Sequence, residues 1–225
     1  MAFLAVEKVS LGFGNNTVIR DASFEINEGD FVCIVGANGS GKSTLVRGIL
    51  GLIKPRKGEI HYGDGLTQQQ IGYLPQETHP VANFPATVEE IVLSGCLGHM
   101  KLRPFYCHAE KSHVERSLKA VGIEDLRKAS YTSLSGGQKQ KVLLARSLSA
   151  TKKLLILDEP SNNLDYKSRK SFYASLKKLN REQNLTIIMI THDLDADDLI
   201  GDKVLAIKEG KVTLSTTEEY LEAYR

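Results

Sequence analysis

Long apolar runs, an excess of one charge and a cysteine framework are all missing from this 225-residue chain. No stretch approaches the roughly 18 consecutive apolar residues that a membrane-spanning helix needs, and residues 1–4 show no basic leader or cleavage site. The 29 basic residues nearly balance the 27 acidic ones, which gives no indication of a nucleic-acid partner. Three irregularly spaced cysteines exclude a disulfide framework. We therefore expect a cytoplasmic protein.

Repeats, low-complexity tracts and long Pro/Gly/Ser linkers are also absent, which predicts a single domain over 1–225. Short apolar runs typical of buried parallel strands lie at 30–35, 154–158 and 186–190. Helical patterns follow the first run and separate the other two, at 42–50 and 166–181. This alternation predicts an α/β fold with a parallel sheet.

Two further patterns accompany this core. Shorter alternating runs predict an antiparallel β layer beside it, at 5–10, 22–26 and 204–214. A later stretch is helical in pattern, with Val114, Leu118 and Val121 spaced as one face of a helix. We therefore predict a helical subdomain over about 77–150, inserted into the α/β core.

Glycines concentrate in the segment Gly36-Ala37-Asn38-Gly39-Ser40-Gly41-Lys42-Ser43, between the first predicted strand and its helix. Glycine lets the backbone wrap closely around a triphosphate, so that N–H groups and the helix N-terminus point at the anion. Lys42 would contact the β and γ phosphates, and Ser43 would bind Mg²⁺. The predicted nucleotide ligands here are Gly36, Asn38, Gly39, Ser40, Gly41, Lys42, Ser43 and Thr44. A chance glycine-rich turn is the alternative, and the flanking strand and helix argue against it.

Two adjacent carboxylates, Asp158 and Glu159, end the predicted strand at 154–158. A parallel sheet delivers such residues to the crevice at its carboxyl edge, where nucleotides bind. Asp158 is the predicted Mg²⁺ ligand, and Glu159 could orient and polarise the water that attacks the γ-phosphate. The alternative is a solvated strand end.

The pentapeptide Leu134-Ser135-Gly136-Gly137-Gln138, together with the phosphate loop, resembles the ATP-binding cassette (ABC) family. An ordinary kinase or GTPase does not explain this pentapeptide. The resemblance implies the ABC nucleotide-binding fold, a RecA-like P-loop NTPase core that hydrolyses ATP. It also implies a head-to-tail dimer with a second ATPase subunit, most simply an identical one. The residues expected to contact the partner's nucleotide are Ser135, Gly136, Gly137 and Gln138.

Other motifs follow the family's order along the chain. Phe13 stands where the family carries an aromatic residue that stacks on adenine. Gln76 resembles the Q-loop glutamine, which in the family contacts the metal ion. Asp165 ends a segment similar to the D-loop. His192 resembles the switch histidine, which in the family contacts the γ-phosphate. Each could be an ordinary core or turn residue if taken alone, but their joint order favours the family.

The cargo is indicated by the region before the pentapeptide. The segments 83–95, 103–106 and 122–126 resemble the ATPases of zinc and manganese importers. The resemblance implies a motor at the inner face of the membrane, bound to a separate integral membrane permease. An extracytoplasmic substrate-binding protein would be an indirect partner. The alternatives are another cargo, such as an iron-siderophore, or a non-transport ABC ATPase of the iron–sulfur assembly type.

A second metal site is suggested by a group of ligand-type residues within the helical region, Cys96, His99, Cys107, His108 and His113. Their spacing fits no closed zinc motif, and a motor subunit need not touch the transported ion. We therefore interpret them as ordinary surface and core residues.

Overall fold

The computed structural model describes residues 2–63, 65–76, 85–99, 105–151, 153–162, 164–191 and 199–223. Within these ranges the strands are β1 (Leu4–Phe13), β2 (Asn16–Ile26), β3 (Phe31–Val35), β4 (Lys57–Tyr62), β5 (Ile71–Leu74), β6 (Leu154–Asp158), β7 (Thr186–Ile190), β8 (Lys203–Lys208) and β9 (Lys211–Thr216). The α-helices are α1 (Lys42–Ile49), α2 (Val88–Ser94), α3 (His108–Ala120), α4 (Gly136–Ser149), α5 (Tyr166–Gln183) and α6 (Thr217–Ala223). No helix in the described ranges has the length and apolar character needed to cross a bilayer.

A six-stranded sheet of order β5-β6-β7-β3-β8-β9 forms the centre of the fold. Its neighbours pair in parallel except at one edge, where β9 runs antiparallel to β8. The strands β3, β6 and β7 are buried along their whole length, as expected for parallel strands covered on both faces. The predicted α/β core is therefore confirmed, and β6 and β7 occupy the predicted 154–158 and 186–190.

A three-stranded antiparallel sheet of order β2-β1-β4 forms a second layer. Helix α1 contributes to the hydrophobic core between this layer and the central sheet. Its Leu45 and Ile49 belong to the same buried cluster as Leu4 of β1 and Ile34 of β3. The predicted antiparallel layer is thus confirmed for the runs at 5–10 and 22–26.

The prediction for 204–214 is wrong in its placement. These residues form β8 and β9, which extend the central sheet rather than the antiparallel layer. Strand β8 pairs in parallel with β3, with Val204 opposite Cys33, and β9 folds back on β8 as a hairpin. The edge strand β9 alternates between exposed and half-buried residues over Lys211–Leu214. An antiparallel edge strand with one covered face shows this pattern in whichever sheet it joins.

Helices α2, α3 and α4 are inserted between β5 and β6, which are paired neighbours in the central sheet. Val114, Leu118 and Val121 are buried in this region, as their spacing predicts. Helix α4 also contacts the sheet, because the Ser147 hydroxyl donates a 3.1 Å hydrogen bond to the Tyr73 carbonyl of β5. The inserted helices are confirmed, whereas the boundaries at 77 and 150 stay a prediction, since residues 77–84 lie outside the described ranges.

Candidate active site

The glycine-rich segment lies at the carboxyl end of β3 and leads into α1. Gly36 has φ 152° and Gly41, the N-cap of α1, has φ 108°, a region that residues with a Cβ rarely adopt. A Cβ on Gly36 would lie 2.5 Å from the Ile207 carbonyl oxygen and 2.8 Å from Ser40 Oγ. Asn38 and Gly39 are exposed at the tip of the loop. The loop therefore keeps its backbone close to β8 while its tip stays accessible to a ligand.

Lys42, the first residue of α1, curls back over this loop. Its Nζ donates hydrogen bonds of 2.8 Å to the Gly36 carbonyl and 3.1 Å to the Ala37 carbonyl. Burial lowers the pKa of the Lys42 amine, while the nearby Glu159 and Asp158 carboxylates act in the opposite direction. The first turn of α1 carries no acidic residue, so its N-terminal partial charge is not offset there. This arrangement suits an anion bound between the loop and the helix.

Asp158 is the last residue of β6 and is 4% exposed. Its pKa is raised by burial and then by the Glu159 carboxylate, while the Ser43 and Tyr73 hydroxyls act to lower it. The Oδ1 atom is buried with no hydrogen-bond partner among the described residues. A buried carboxylate oxygen without a partner is costly, and a bound cation is one way to satisfy it. Asp158 and Ser43 thus offer oxygen ligands of the kind that Mg²⁺ prefers.

Glu159 follows Asp158 in a left-handed backbone conformation with φ 50°. Its Oε2 accepts two hydrogen bonds of 2.6 Å, one from Gln76 Nε2 and one from Asn162 Nδ2. Gln76, predicted to be a metal ligand, and Glu159, predicted to activate water, are therefore in direct contact. The contact with Asn162 is one that sequence reasoning missed, although Asn162 lies within the D-loop-like segment that ends at Asp165.

The pentapeptide begins α4. Ser135 is the N-cap, its Oγ accepting a 3.3 Å hydrogen bond from the Gln138 N–H, and Gln138 Oε1 accepts a 2.9 Å bond from the Ser135 N–H. A Cβ on Gly136 would meet nothing within 4 Å, so the backbone there is open, whereas one on Gly137 would lie 2.8 Å from Ser168 Oγ. Ser135, Gly137 and Gln138 line a cavity of about 420 Å³ together with Lys141 and Lys167. No residue of the phosphate loop is among the described residues that line it.

Three further residues predicted for the nucleotide site are Phe13, Asp165 and His192. Phe13 ends β1 and is 50% exposed, which leaves its ring available for stacking. Asp165 is the N-cap of α5, and its carboxylate accepts hydrogen bonds from the Ser168 N–H and hydroxyl, which lower its pKa. His192 lies outside the described residues. The nucleotide-binding roles of all three stay predictions.

The ligand-type residues of the helical region that the structure describes, Cys96, Cys107, His108 and His113, have separate surroundings, and His108 Nδ1 lies 3.2 Å from Ser112 Oγ. Cys96 is buried, with its Sγ 3.6 Å from the Ser149 carbonyl oxygen, and His113 Nε2 lies 3.3 Å from the Leu148 carbonyl oxygen. Cys107 is exposed at the N-cap of α3, and the His99 side chain lies outside the described part. In the described residues, no three His, Cys, Asp or Glu side chains form a group that could hold a metal.

The sheet order, the phosphate loop and the carboxylates Asp158 and Glu159 at the end of β6 define a P-loop ATPase with inserted helices. A model of the ABC transporter family matches residues 19–162. The chain therefore belongs to the ABC transporter family, as its pentapeptide indicates, and is an ATPase whose hydrolysis is coupled to transport.

Relatives of known name resemble the chain over nearly its whole length. It is 38% identical to the high-affinity zinc uptake system ATP-binding protein ZnuC of Bacillus subtilis, covering 94% of this chain and 93% of that protein. It is 36% identical to the chelated iron transport system membrane protein YfeB of Yersinia pestis, and the match covers 97% of this chain and 77% of that protein. The chain also superposes on the dimeric post-hydrolysis structure of the ATP-binding cassette MJ0796, bound to ADP and Pi, with a TM-score of 0.75 and 27% identity. This match covers 95% of this chain and 98% of that one.

Proposed function

We propose that this chain is the ATP-hydrolysing subunit of an importer for a divalent metal ion, zinc or manganese. The observation that carries the proposal is the extent of the match to a zinc uptake subunit, which covers 94% of the chain and so includes the helical insertion. A match confined to the phosphate loop would support nucleotide binding alone. Iron is the competing cargo, since a chelated iron transport protein is nearly as similar.

In the proposed cycle, the phosphates of ATP bind between the phosphate loop and the N-terminus of α1. Lys42 lies there with its amine on the loop carbonyls, from which it can turn to the β and γ phosphates. Ser43, Asp158 and Gln76 would hold Mg²⁺, which supplies positive charge against the phosphate oxygens. The unpartnered Asp158 Oδ1 supports this assignment. The exposed ring of Phe13 would stack on the adenine.

Glu159 is the proposed general base. Its carboxylate would accept a proton from the attacking water as the water oxygen bonds to the γ-phosphorus and the bond to the ADP oxygen breaks. Gln76 and Asn162 each donate a hydrogen bond to Glu159 Oε2, and these two bonds would orient the carboxylate. His192 would contact the γ-phosphate from the segment after β7.

The second ATP-binding surface is the N-terminus of α4, which we propose serves the nucleotide of an identical partner chain. Ser135, Gly136, Gly137 and Gln138 would contact that γ-phosphate, and the open backbone at Gly136 supports such an approach. A related cassette forms a dimer with ADP and Pi bound. ATP binding would then close the dimer, and hydrolysis would open it. Asp165 would contribute from the D-loop at the same interface.

The closing and opening would drive a separate membrane permease from the cytoplasmic face, with an extracytoplasmic binding protein delivering the ion. The test is to purify the chain from detergent extracts with its integral membrane partner, reconstitute the complex in vesicles, and measure ATP-dependent uptake of zinc, manganese and iron. We expect Lys42→Ala to abolish uptake of zinc or manganese. Lys178→Ala, which changes an exposed lysine of α5, is the control and should transport normally. Uptake that Lys42→Ala leaves unchanged would reject the proposal.

A further inference from the structure

The loop that carries Glu159 is bound by a side chain from a different element. Gln140 Nε2, on α4, donates a 2.6 Å hydrogen bond to the carbonyl oxygen of Pro160. A carbonyl can only accept, so the amide nitrogen of Gln140 is the atom that makes this contact. The bond is partly buried and therefore shielded from competing water.

The backbone at Glu159 depends on such contacts. With φ 50° it occupies the left-handed region, which is sterically unfavourable for a residue with a Cβ. Two backbone hydrogen bonds also hold Glu159. Its N–H donates to the Ile190 carbonyl at 3.2 Å, and its carbonyl accepts from the Asn162 N–H at 3.3 Å. The bond from Gln140 differs from these because it comes from the helical insertion.

Helix α4 joins Ser135 to Gln140 through one continuous run of helical backbone. Its N-terminus is closed by the reciprocal Ser135 and Gln138 hydrogen bonds, and its following turns bury Val142 and Leu144. Gln140 lies about 7.5 Å along the helix axis from Ser135, at a rise of about 1.5 Å per residue. A displacement of Ser135 along the helix axis would therefore also displace Gln140.

We propose that Gln140 is a positioning residue that ties Glu159 to the helix whose N-terminus serves the partner's nucleotide. Docking of Ser135 against that nucleotide and placement of Glu159 at the chain's own nucleotide then occur together. Hydrolysis is favoured only when the dimer has closed. This inference rests on the proposed roles of Ser135 and Glu159, and it adds the side chain that connects them.

The test is a double-mutant cycle between Gln140→Met and Glu159→Gln, with steady-state and single-turnover ATP hydrolysis as readouts. Methionine keeps the length and helix propensity of glutamine but cannot donate a hydrogen bond. We expect Gln140→Met to lower kcat about tenfold, the effect of losing one positioned hydrogen bond, with KM for ATP and ATP-driven dimerisation unchanged. In the Glu159→Gln background, we expect Gln140→Met to leave the residual rate unchanged, since there is no base left to position.

Gln183→Met, at the exposed end of α5, is the matched control and should retain the parental kcat. Gln140→Glu places a carboxylate against the Pro160 carbonyl and should lose at least as much activity as Gln140→Met. A further tenfold loss in the double variant, a parental kcat in Gln140→Met, or a changed KM alone would overturn the inference. If Glu159→Gln alone hydrolysed ATP at the parental rate, the proposed role of Glu159 would fail, and this inference with it.

Discussion

Gln76 and Glu159 are joined by a 2.6 Å hydrogen bond from the glutamine amide to the carboxylate. Gln76 follows β5 and Glu159 follows β6, and these strands pair in parallel with Leu74 opposite Leu157. The register of the sheet thus brings a predicted metal ligand and a predicted base to the same edge, although they are 83 residues apart. The glutamine uses its amide nitrogen on Glu159, while its carbonyl oxygen is the kind of atom that binds Mg²⁺.

Replacing Glu159 by glutamine removes the proposed base and keeps the shape of the side chain. The amide oxygen of the new glutamine can still accept hydrogen bonds from Gln76 and Asn162, so we expect the fold to be retained. Loss of a general base should lower the rate of hydrolysis by about 100- to 1,000-fold. ATP binding should persist, so the variant should accumulate as a dimer in ATP, measured by size-exclusion chromatography.

The matched control for this change is Glu209→Gln. Glu209 also has a left-handed backbone, with φ 51°, but it is exposed in the hairpin turn between β8 and β9. The control should hydrolyse ATP and dimerise as the parent does. Parental hydrolysis by Glu159→Gln would reject Glu159 as the base.

Asp158 makes stability depend on pH in a direction set by its environment. Burial and the Glu159 carboxylate raise its pKa above the ordinary value. A carboxyl whose pKa is raised by folding destabilises the folded state when it is ionised. This loss of stability is complete at a pH above the pKa in the folded state and disappears at a pH below the pKa in the unfolded state. Without Mg²⁺, we therefore expect Asp158→Asn to raise the free energy of unfolding by about 1 kcal/mol at neutral pH. The same variant should lose hydrolysis.

The gain in the free energy of unfolding of Asp158→Asn should shrink as the pH falls towards the ordinary pKa of aspartate. Urea unfolding across a pH series measures this gain. Asp202→Asn, at an exposed aspartate, provides the control for removing a negative charge elsewhere. A stability gain that is the same at acidic and neutral pH would show that ionisation of Asp158 is not its cause.

Much of the fold, and the positions of the phosphate loop and of Asp158 within it, could be predicted from the sequence. Buried parallel strands leave continuous apolar runs, so β6 and β7 were predictable from 154–158 and 186–190. The loop at Gly36 could be predicted because its backbone requires glycine. The hairpin at 204–214 was misplaced because an alternating run does not specify which sheet a strand joins. Asn162 and Gln140 contact the Glu159 loop through single side-chain hydrogen bonds. A single amide residue forms no repeating pattern in the sequence, so these contacts could not be predicted from it.

The three cysteines should differ sharply in reactivity. Burial raises the pKa of the Cys33 thiol to about 11, and burial also raises that of Cys96. Cys107 is exposed at the start of α3. Because the thiolate is the reactive form, iodoacetamide at about pH 7.5 should modify Cys107 first in the folded protein, as measured by peptide mass spectrometry. Labelling of Cys33 as fast as Cys107 would contradict this burial, and unfolding in urea should make all three react.

Ser135 and Thr87 allow a capping role to be separated from a role in the dimer. Ser135 caps α4 and Thr87 caps α2, and each hydroxyl accepts a 3.3 Å hydrogen bond from the N–H three residues later. Each cap is also reciprocal, with the Gln138 or Glu90 side chain accepting from the cap N–H at 2.9 Å or 2.8 Å. Loss of either cap through alanine should lower stability by about 1 kcal/mol, measured by urea unfolding.

Only Ser135→Ala should also weaken ATP-driven dimerisation, because only Ser135 is proposed to contact the partner's nucleotide. We expect the ATP concentration needed for half-maximal dimer to rise several-fold in a Glu159→Gln background, where hydrolysis does not compete with closure. Thr87→Ala in the same background should dimerise as Glu159→Gln alone does. Equal weakening by the two alanines would mean that helix capping, and not contact with the nucleotide, accounts for the loss at Ser135.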